Sequence, residues 1–273
     1  MKEPDTGQTT SAVILISGHG TNLQVILDQI INDQLPIKII LVLSDNPKAY
    51  GIERAKKSGI PTKIINYHTF INKSDFHQSV KDKIKKIDPD LIVLAGYMRI
   101  LSRDFCRLFK GRILNIHPSL LPKFKGLNTH QRVLEAGDKY HGSTVHFVTS
   151  ELDSGPLILQ YRTRIRPDDD PECLKKRVQH GEHQIYPMAI RWFAEGSLKM
   201  VDEETLLMGK QIVKIFLGIR KYSTVLAKTK ELGGITQTSE LKSTKPVSSN
   251  DFGSTTAELM FVNTLNSFAQ RTS

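Results

Sequence analysis

From Ser11 to about Val201, apolar and polar positions along the chain follow two alternating rhythms. Short runs rich in β-branched residues, the mark of buried strands, give way to stretches whose apolar residues return at helical spacing. The runs predict strands at Ala12–Ile16, Ile37–Leu43, Thr62–Ile65, Asp90–Ala95, Arg112–Ile116, Ser143–Val148 and Leu157–Arg164. Helices are predicted at Asn22–Ile31, Ile52–Ser58, Ser74–Ile87, Asn128–Ala136 and Pro171–Ala194. Strands alternating with helices imply an α/β fold, a Rossmann-like, doubly wound and mostly parallel sheet. Such sheets bind ligands beyond the carboxyl ends of their strands, so the chemistry is expected just after strands.

The rhythm fades after about Glu203. Leu206-Leu207-Met208 and Ile212–Leu217 can still form a strand or helix packed on the domain. Thr236–Thr256, rich in Ser, Thr, Lys, Pro and Gly, reads as a flexible tail. The expected organisation is a flexible amino terminus over residues 1–10, one main domain over 11–202, and an extension over 203–273 that is largely flexible.

Composition narrows the class without naming a function. With 273 residues and 39% hydrophobic content, the chain can bury a full core. No stretch approaches the roughly 20 apolar residues of a membrane span. Met1-Lys2-Glu3-Pro4-Asp5 opens no signal-peptide run, so a cytoplasmic protein is expected. Two cysteines, Cys106 and Cys173, exclude a disulfide framework, and neither has a partner at metal-ligand spacing. The net charge of +10 suits nucleic acid, an anionic surface or small anionic substrates alike. Its densest group, Lys81, Lys83, Lys85 and Lys86, is interleaved with Asp82 and reads as a solvated helix face.

The first strand runs into Ser17-Gly18-His19-Gly20-Thr21-Asn22-Leu23 and then an amphipathic helix. A glycine-rich turn at a helix start offers open backbone N–H groups and the positive end of the helix dipole, which suits a phosphate. Leu23 occupies the third glycine position of a dinucleotide fingerprint, and no Gly-Lys-Ser/Thr follows, so a monophosphate is the simpler guest. The same residues also fit a plain strand-to-helix turn capped by Thr21 or Asn22.

The strongest signal is Asn115-Ile116-His117-Pro118-Ser119-Leu120-Leu121-Pro122. Side chains alternate across a strand, so Asn115 and His117 can share one face while Ile116 enters the opposite layer. An amide N–H can hold a developing oxyanion, and an imidazole can move a proton near neutral pH; acyl transfer needs both. Pro118 and Pro122 bracket a rigid turn behind the pair. Taken alone, an Asn-x-His pair is more often structural than catalytic.

A resemblance decides between these readings. Asn115–Pro122 resembles the active-site strand of the folate-dependent formyltransferase family. Gly142-Ser143-Thr144-Val145-His146-Phe147-Val148, leading into Glu151-Leu152-Asp153-Ser154-Gly155-Pro156, is similar to that family's second signature. Ser17–Asn22 and Leu94-Ala95-Gly96-Tyr97-Met98-Arg99-Ile100-Leu101 resemble the branch that formylates glycinamide ribonucleotide, an intermediate of purine synthesis. The likeness spans roughly residues 12–201.

The resemblance implies transfer of the formyl group of 10-formyltetrahydrofolate, a co-substrate, to the amine of glycinamide ribonucleotide, with no metal. It implies catalytic roles for Asn115, His117 and Asp153, the charge of Asp153 favouring a protonated His117 that joins Asn115 at the oxyanion. Gly20, Thr21 and Asn22 would hold the ribonucleotide phosphate, and Glu182 its ribose or glycinamide end. The folate would lie along Met98, Arg99, Ile100 and Leu101, touching Lys73 and Asn115, with the backbone near Val148 to Ser150 reading its pteridine ring. Arg99 is also suited to bidentate pairing with a folate carboxylate. Core packing stays open for Met98, Ile100 and Leu101. The implied partners are these two small molecules, with neither nucleic acid nor membrane; monomer and dimer both stay open.

Three positions depart from the family pattern: His19 where Asn is frequent, Lys73 where an Arg commonly meets the folate, and Ser150 where an acid is usual. Lys73 keeps the charge without the guanidinium fork. His180-Gly181-Glu182-His183 lacks the His-Glu-x-x-His order of a helical metal site. His68, His77, His130, His141 and His146 read as surface or packing residues. A tRNA-formylating relative would carry a folded carboxyl-terminal domain, for which Thr236–Thr256 is a poor candidate. A formyltetrahydrofolate hydrolase would add an amino-terminal regulatory domain, and only about ten residues precede the first strand. A non-catalytic binder of phosphorylated metabolites or nucleic acid would show no turnover.

Overall fold

The computed structural model describes residues 9–207, 210–219, 223–230 and 236–242. The strands of the main domain are β1 (Thr10–Ile16), β2 (Ile37–Ser44), β3 (Thr62–Ile64), β4 (Leu91–Leu94), β5 (Ile113–His117), β6 (Tyr140–Phe147) and β7 (Leu157–Arg164). Its helices are α1 (Thr21–Ile31), α2 (Gly51–Lys57), α3 (Lys73–Ile87), α4 (Arg103–Leu108), α5 (Thr129–Glu135) and α6 (Pro171–Ala194). Strands β3-β2-β1-β4-β5 run parallel, β6 is antiparallel to both neighbours, and β7 resumes the first direction. This is the mostly parallel α/β sheet that the hydrophobic pattern predicts.

Both faces of the central strands are apolar, and that dictates the layers. Along β1, Ala12, Ile14 and Ile16 enter one core while Val13 and Leu15 enter the other. Each face therefore needs a helical cover. Helices α1 and α6 bring Leu23, Ile26, Ile185 and Ile190 to the first core; α3 and α4 bring Phe76, Val80, Ile84 and Phe105 to the second. Burying a side chain of this size is worth roughly 1.5–3 kcal/mol, so a one-residue slip of β5 would expel Leu114 and Ile116 and bury Asn115 and His117 in their place. The register of the polar pair is thus set by its apolar neighbours.

Local signals start the helices. The side chains of Asn72 and Ser102 accept the N–H groups of Ser74 and Phe105 at the starts of α3 and α4. Asp170 accepts that of Cys173 ahead of α6, whose first residue is Pro171. Helix α6 lies so close to β7 that a Cβ on Gly181 would stand 2.1 Å from the Tyr161 ring, which only glycine permits. From the same helix, the buried Tyr186 hydroxyl lies 3.0 Å from the carbonyls of Leu94 and Leu114, tying α6 to β4 and β5.

Past α6 come β8 (Leu198–Val201), β9 (Glu204–Leu207), β10 (Lys210–Ile219), β11 (Ser223–Lys230) and β12 (Thr236–Lys242). Strand β10 joins β7 in parallel at Phe216–Gly218, and β11 and β12 follow antiparallel. Ile212–Leu217, left open between strand and helix, is strand. The tail expected to be flexible from Thr236 begins instead with a strand, because ladder pairing uses the backbone and Thr suits a strand despite its polarity. Residues 243–256 of that tail, Met208, and residues 1–8 of the expected flexible amino terminus lie outside the described residues, while Thr10 already belongs to β1. Helix α4 is absent from the sequence reading; six residues with two buried side chains, Phe105 and Cys106, are too few to set a helical period.

Candidate active site

Strand alternation sends Leu114 and Ile116 into the core shared with α6, and Asn115 and His117 to the opposite face. Antiparallel β6 pairs Asn115 with His146 and His117 with Thr144. Asn115 Nδ2 lies 3.1 Å from His146 Nε2, and His146 Nδ1 lies 2.7 Å from the Phe147 carbonyl. A carbonyl only accepts, so Nδ1 carries the proton and Nε2 accepts an N–H from Asn115. Burial lowers the pKa of this ring to about 4 and keeps it neutral. His146 thereby orients the carboxamide, which has a second N–H to offer another acceptor.

His117 is held from both sides. Its Nε2 donates to the Phe124 carbonyl at 3.0 Å, and its Nδ1 faces Asp153 Oδ2 at 3.4 Å. The same carboxylate oxygen accepts the Gly126 N–H at 2.9 Å, so one short segment, Phe124 to Gly126, braces both residues. His146 Nε2 is 3.9 Å from Asp153 Oδ1, an electrostatic neighbour beyond hydrogen-bond reach. Asp153 adopts a left-handed backbone with φ 47°, a conformation in which Asp and Asn are enriched among non-glycine residues. Behind the pair, Thr144 Oγ1 donates to the Ser119 carbonyl at 2.6 Å and accepts the Leu121 N–H at 3.1 Å. Gln160 donates to both Thr144 Oγ1 and the Leu121 carbonyl, fixing the turn that follows His117. Asn115, His117 and Asp153 thus converge from β5 and from the loop after β6.

The glycine loop is built from backbone. Gly20 caps α1 at φ 68°, and no side chain caps the helix. A Cβ on Gly20 would stand 2.7 Å from the Gly51 Cα, so the loop and the start of α2 approach as only glycines allow. The Gly51 N–H donates to the Gly18 carbonyl at 3.1 Å, and Arg54 Nε to that of His19 at 2.9 Å. Thr21 and Asn22, the alternative capping residues, turn to α6 instead. Gln179 donates to Thr21 Oγ1 at 2.9 Å, and Asn22 Nδ2 donates to Glu182 Oε2 at 3.0 Å. Among the described residues no side chain caps the first-turn N–H groups of α1. Burial pushes the Glu182 carboxyl up to about 7, outweighing the opposite pull of the Asn22 hydrogen bond.

The remaining expected contacts divide. Met98 and Ile100 are each 63% exposed, whereas Leu101 packs in the core with Phe105. Arg99 is turned toward a residue with no sequence signal: its Nε lies 2.6 Å from Asp45 Oδ2, and its guanidinium carbon 3.9 Å over the Tyr67 ring. Val148 is half-buried against the α3 core, while Lys73, at the start of α3, and Ser150 are exposed. His146, read as surface or packing, and Asp45 are the residues that sequence reasoning missed. Their partners lie 31 and 54 positions away, joined only by the sheet. Among the described residues no cluster of three or more His, Cys, Asp or Glu side chains could hold a metal ion, and no helix is long and apolar enough to cross a membrane.

Residues 10–190 match the formyl transferase family. The chain belongs to that family. Among formyl transferases it is 47% identical over 201 residues to the phosphoribosylglycinamide formyltransferase of Haemophilus influenzae, covering 74% of this chain and 95% of that protein. It is 44% identical over 200 residues to the Escherichia coli phosphoribosylglycinamide formyltransferase, covering 73% and 94%. The solved structure of the Coxiella burnetii phosphoribosylglycinamide formyltransferase in complex with CHES matches with a TM-score of 0.71 at 48% identity, covering 75% of this chain and 96% of that one. The stretch shared with the formyl transferase family contains Asn115, His117, Asp153 and Glu182 and ends before β8.

Proposed function

We propose that this formyl transferase moves the formyl group of 10-formyltetrahydrofolate onto the amine of glycinamide ribonucleotide, giving formylglycinamide ribonucleotide and tetrahydrofolate in purine biosynthesis. The observation that carries the reading is the convergence of Asn115, His117 and Asp153, in a chain that spans 95% of a phosphoribosylglycinamide formyltransferase at 47% identity.

The open N–H groups at Gly20, Thr21 and Asn22 receive the substrate phosphate. Glu182 faces the ribose or glycinamide end and accepts hydrogen bonds from it. The folate lies over Met98 and Ile100, with Lys73 and Arg99 toward its carboxylates and the backbone from Val148 to Ser150 along its pteridine. The amine lone pair attacks the formyl carbon, and the carbonyl electrons move onto oxygen. The second Asn115 N–H donates to that oxygen, as does the His117 Nε2–H once it exchanges the Phe124 carbonyl for the ligand. Collapse re-forms the carbonyl and breaks the bond to the folate nitrogen. The proton released by the attacking amine passes through Asp153 and a water to that nitrogen. The setting is the cytoplasm, in keeping with two unpaired thiols, Cys106 and Cys173.

The test is product balance. Purified protein given both substrates should release tetrahydrofolate and formylglycinamide ribonucleotide in equal amounts. Tetrahydrofolate released without the ribonucleotide would indicate a hydrolase, and binding without release a non-catalytic module.

A further inference from the structure

We propose that Asp45 is a positioning residue for the folate donor: it grips Arg99 by one edge so that the other edge of the guanidinium is held ready for a carboxylate of the donor's glutamate chain. The identity of the ligand rests on the function proposed above; the role of Asp45 rests on geometry.

Asp45 follows β2 and is 1% exposed. A buried carboxylate is costly unless paired. Its Oδ2 takes the Arg99 Nε at 2.6 Å, and its Oδ1 has no hydrogen-bond partner among the described residues, so Arg99 is its one charged contact there. The guanidinium plane is fixed as well, lying over the Tyr67 ring. Tyr67 is tied back to the same aspartate, its N–H donating to the Asp45 carbonyl at 3.0 Å, and it packs edge-on against Phe76 of the core. One edge and one face of Arg99 are therefore occupied by rigid neighbours.

A guanidinium carries five N–H donors in a planar fork, and the Nε bond uses one. The Arg99 side chain is 30% exposed and sits in sequence between Met98 and Ile100, the exposed apolar pair offered to the folate. A planar fork matches a carboxylate through two parallel hydrogen bonds, and a fork already immobilised loses little freedom when it binds. Asp45 thus supplies orientation rather than contact with the ligand.

Steady-state kinetics on the full chain, using the monoglutamate donor and the same donor lacking its glutamate, test this. D45A should raise the KM of the glutamate-bearing donor roughly tenfold. It should leave kcat and the ribonucleotide KM within about twofold, and the truncated donor should be unaffected by it. D45N, which keeps an oxygen acceptor in place, should restore most of the loss. R99K can reach Asp45 but has no second edge, so it should lose as much as R99A, and D45A should add nothing in the R99A background. The proposal is overturned if D45A raises both KM values together, if its effect persists without Arg99, or if R99K behaves as the parent. Should D45A fail to fold, the R99K and R99A comparison decides alone. If the parent protein transfers no formyl group, the functional reading fails; calorimetric titration of the donor against parent and R99K then still decides whether the fork exists.

Discussion

The corner at the end of β5 and the loop ahead of α1, which we propose serve two ends of one substrate, are built from different materials. The corner is made of side chains whose protons are assigned by their partners: neutral His146 aims Asn115, while Phe124 and Asp153 clamp His117. The loop is made of backbone, held open by Gly20 and by side chains that turn away from the cap. Damage to the corner should therefore appear in the chemical step, and damage to the loop in binding and stability.

The sharpest break between them comes from removing a proposed oxyanion donor. N115A or H117A should each lower kcat by roughly a hundredfold to a thousandfold, about 2.7–4 kcal/mol of barrier, with little change in the ribonucleotide KM. A shift in KM alone, in single-turnover and steady-state assays, would move the corner from chemistry to binding.

On the loop side the next largest effect is the pH dependence set by Glu182. Its folded pKa of about 7 lies above the ordinary 4.5. Below 4.5 both folded and unfolded chains hold the proton; between 4.5 and 7 the unfolded chain loses it first. The stability that Glu182 contributes is thus present at low pH and declines as pH rises through that window, by about 3 kcal/mol. E182Q should flatten this part of the melting-temperature profile. Parent and variant with identical slopes would show that the carboxyl is not so perturbed.

A smaller effect is expected from G20A. The left-handed backbone costs a residue with a Cβ about 1–2 kcal/mol, and the contact with Gly51 adds to it. Ribonucleotide affinity measured by titration should fall at least about tenfold with kcat retained. Smallest is H146A, which removes one neutral hydrogen bond worth roughly 1 kcal/mol. It should lower kcat several-fold in the parent and have no effect once Asn115 is gone. An equal loss in both backgrounds would separate His146 from the carboxamide.

Much of this was legible in the sequence, and the gaps have physical causes. β-Branched runs reported the strands because both faces of the sheet are buried, and alternation placed Asn115 and His117 together. The reversed direction of β6 leaves no trace in periodicity, yet it brings His146 to Asn115. Asp45 looks like any loop aspartate until the fold sets it under Arg99. The same contact turned Arg99 from an open cation into a pinned one. At Met98, Ile100 and Leu101 composition could not separate surface from core, since all three are apolar; only helix placement shows that Leu101 belongs inside.

The left-handed backbone at Asp153 narrows the alphabet open to that position. Glutamate would preserve the charge but populates the left-handed region less readily than aspartate or asparagine, and its longer chain would have to fold back to reach the Gly126 N–H; asparagine suits the backbone but cannot carry the proton. D153N should melt near the parent, while D153E should lose about 1 kcal/mol of stability. Under the role proposed for Asp153, drift at this site leads more easily to a well-folded copy that binds without reacting than to a second working acid.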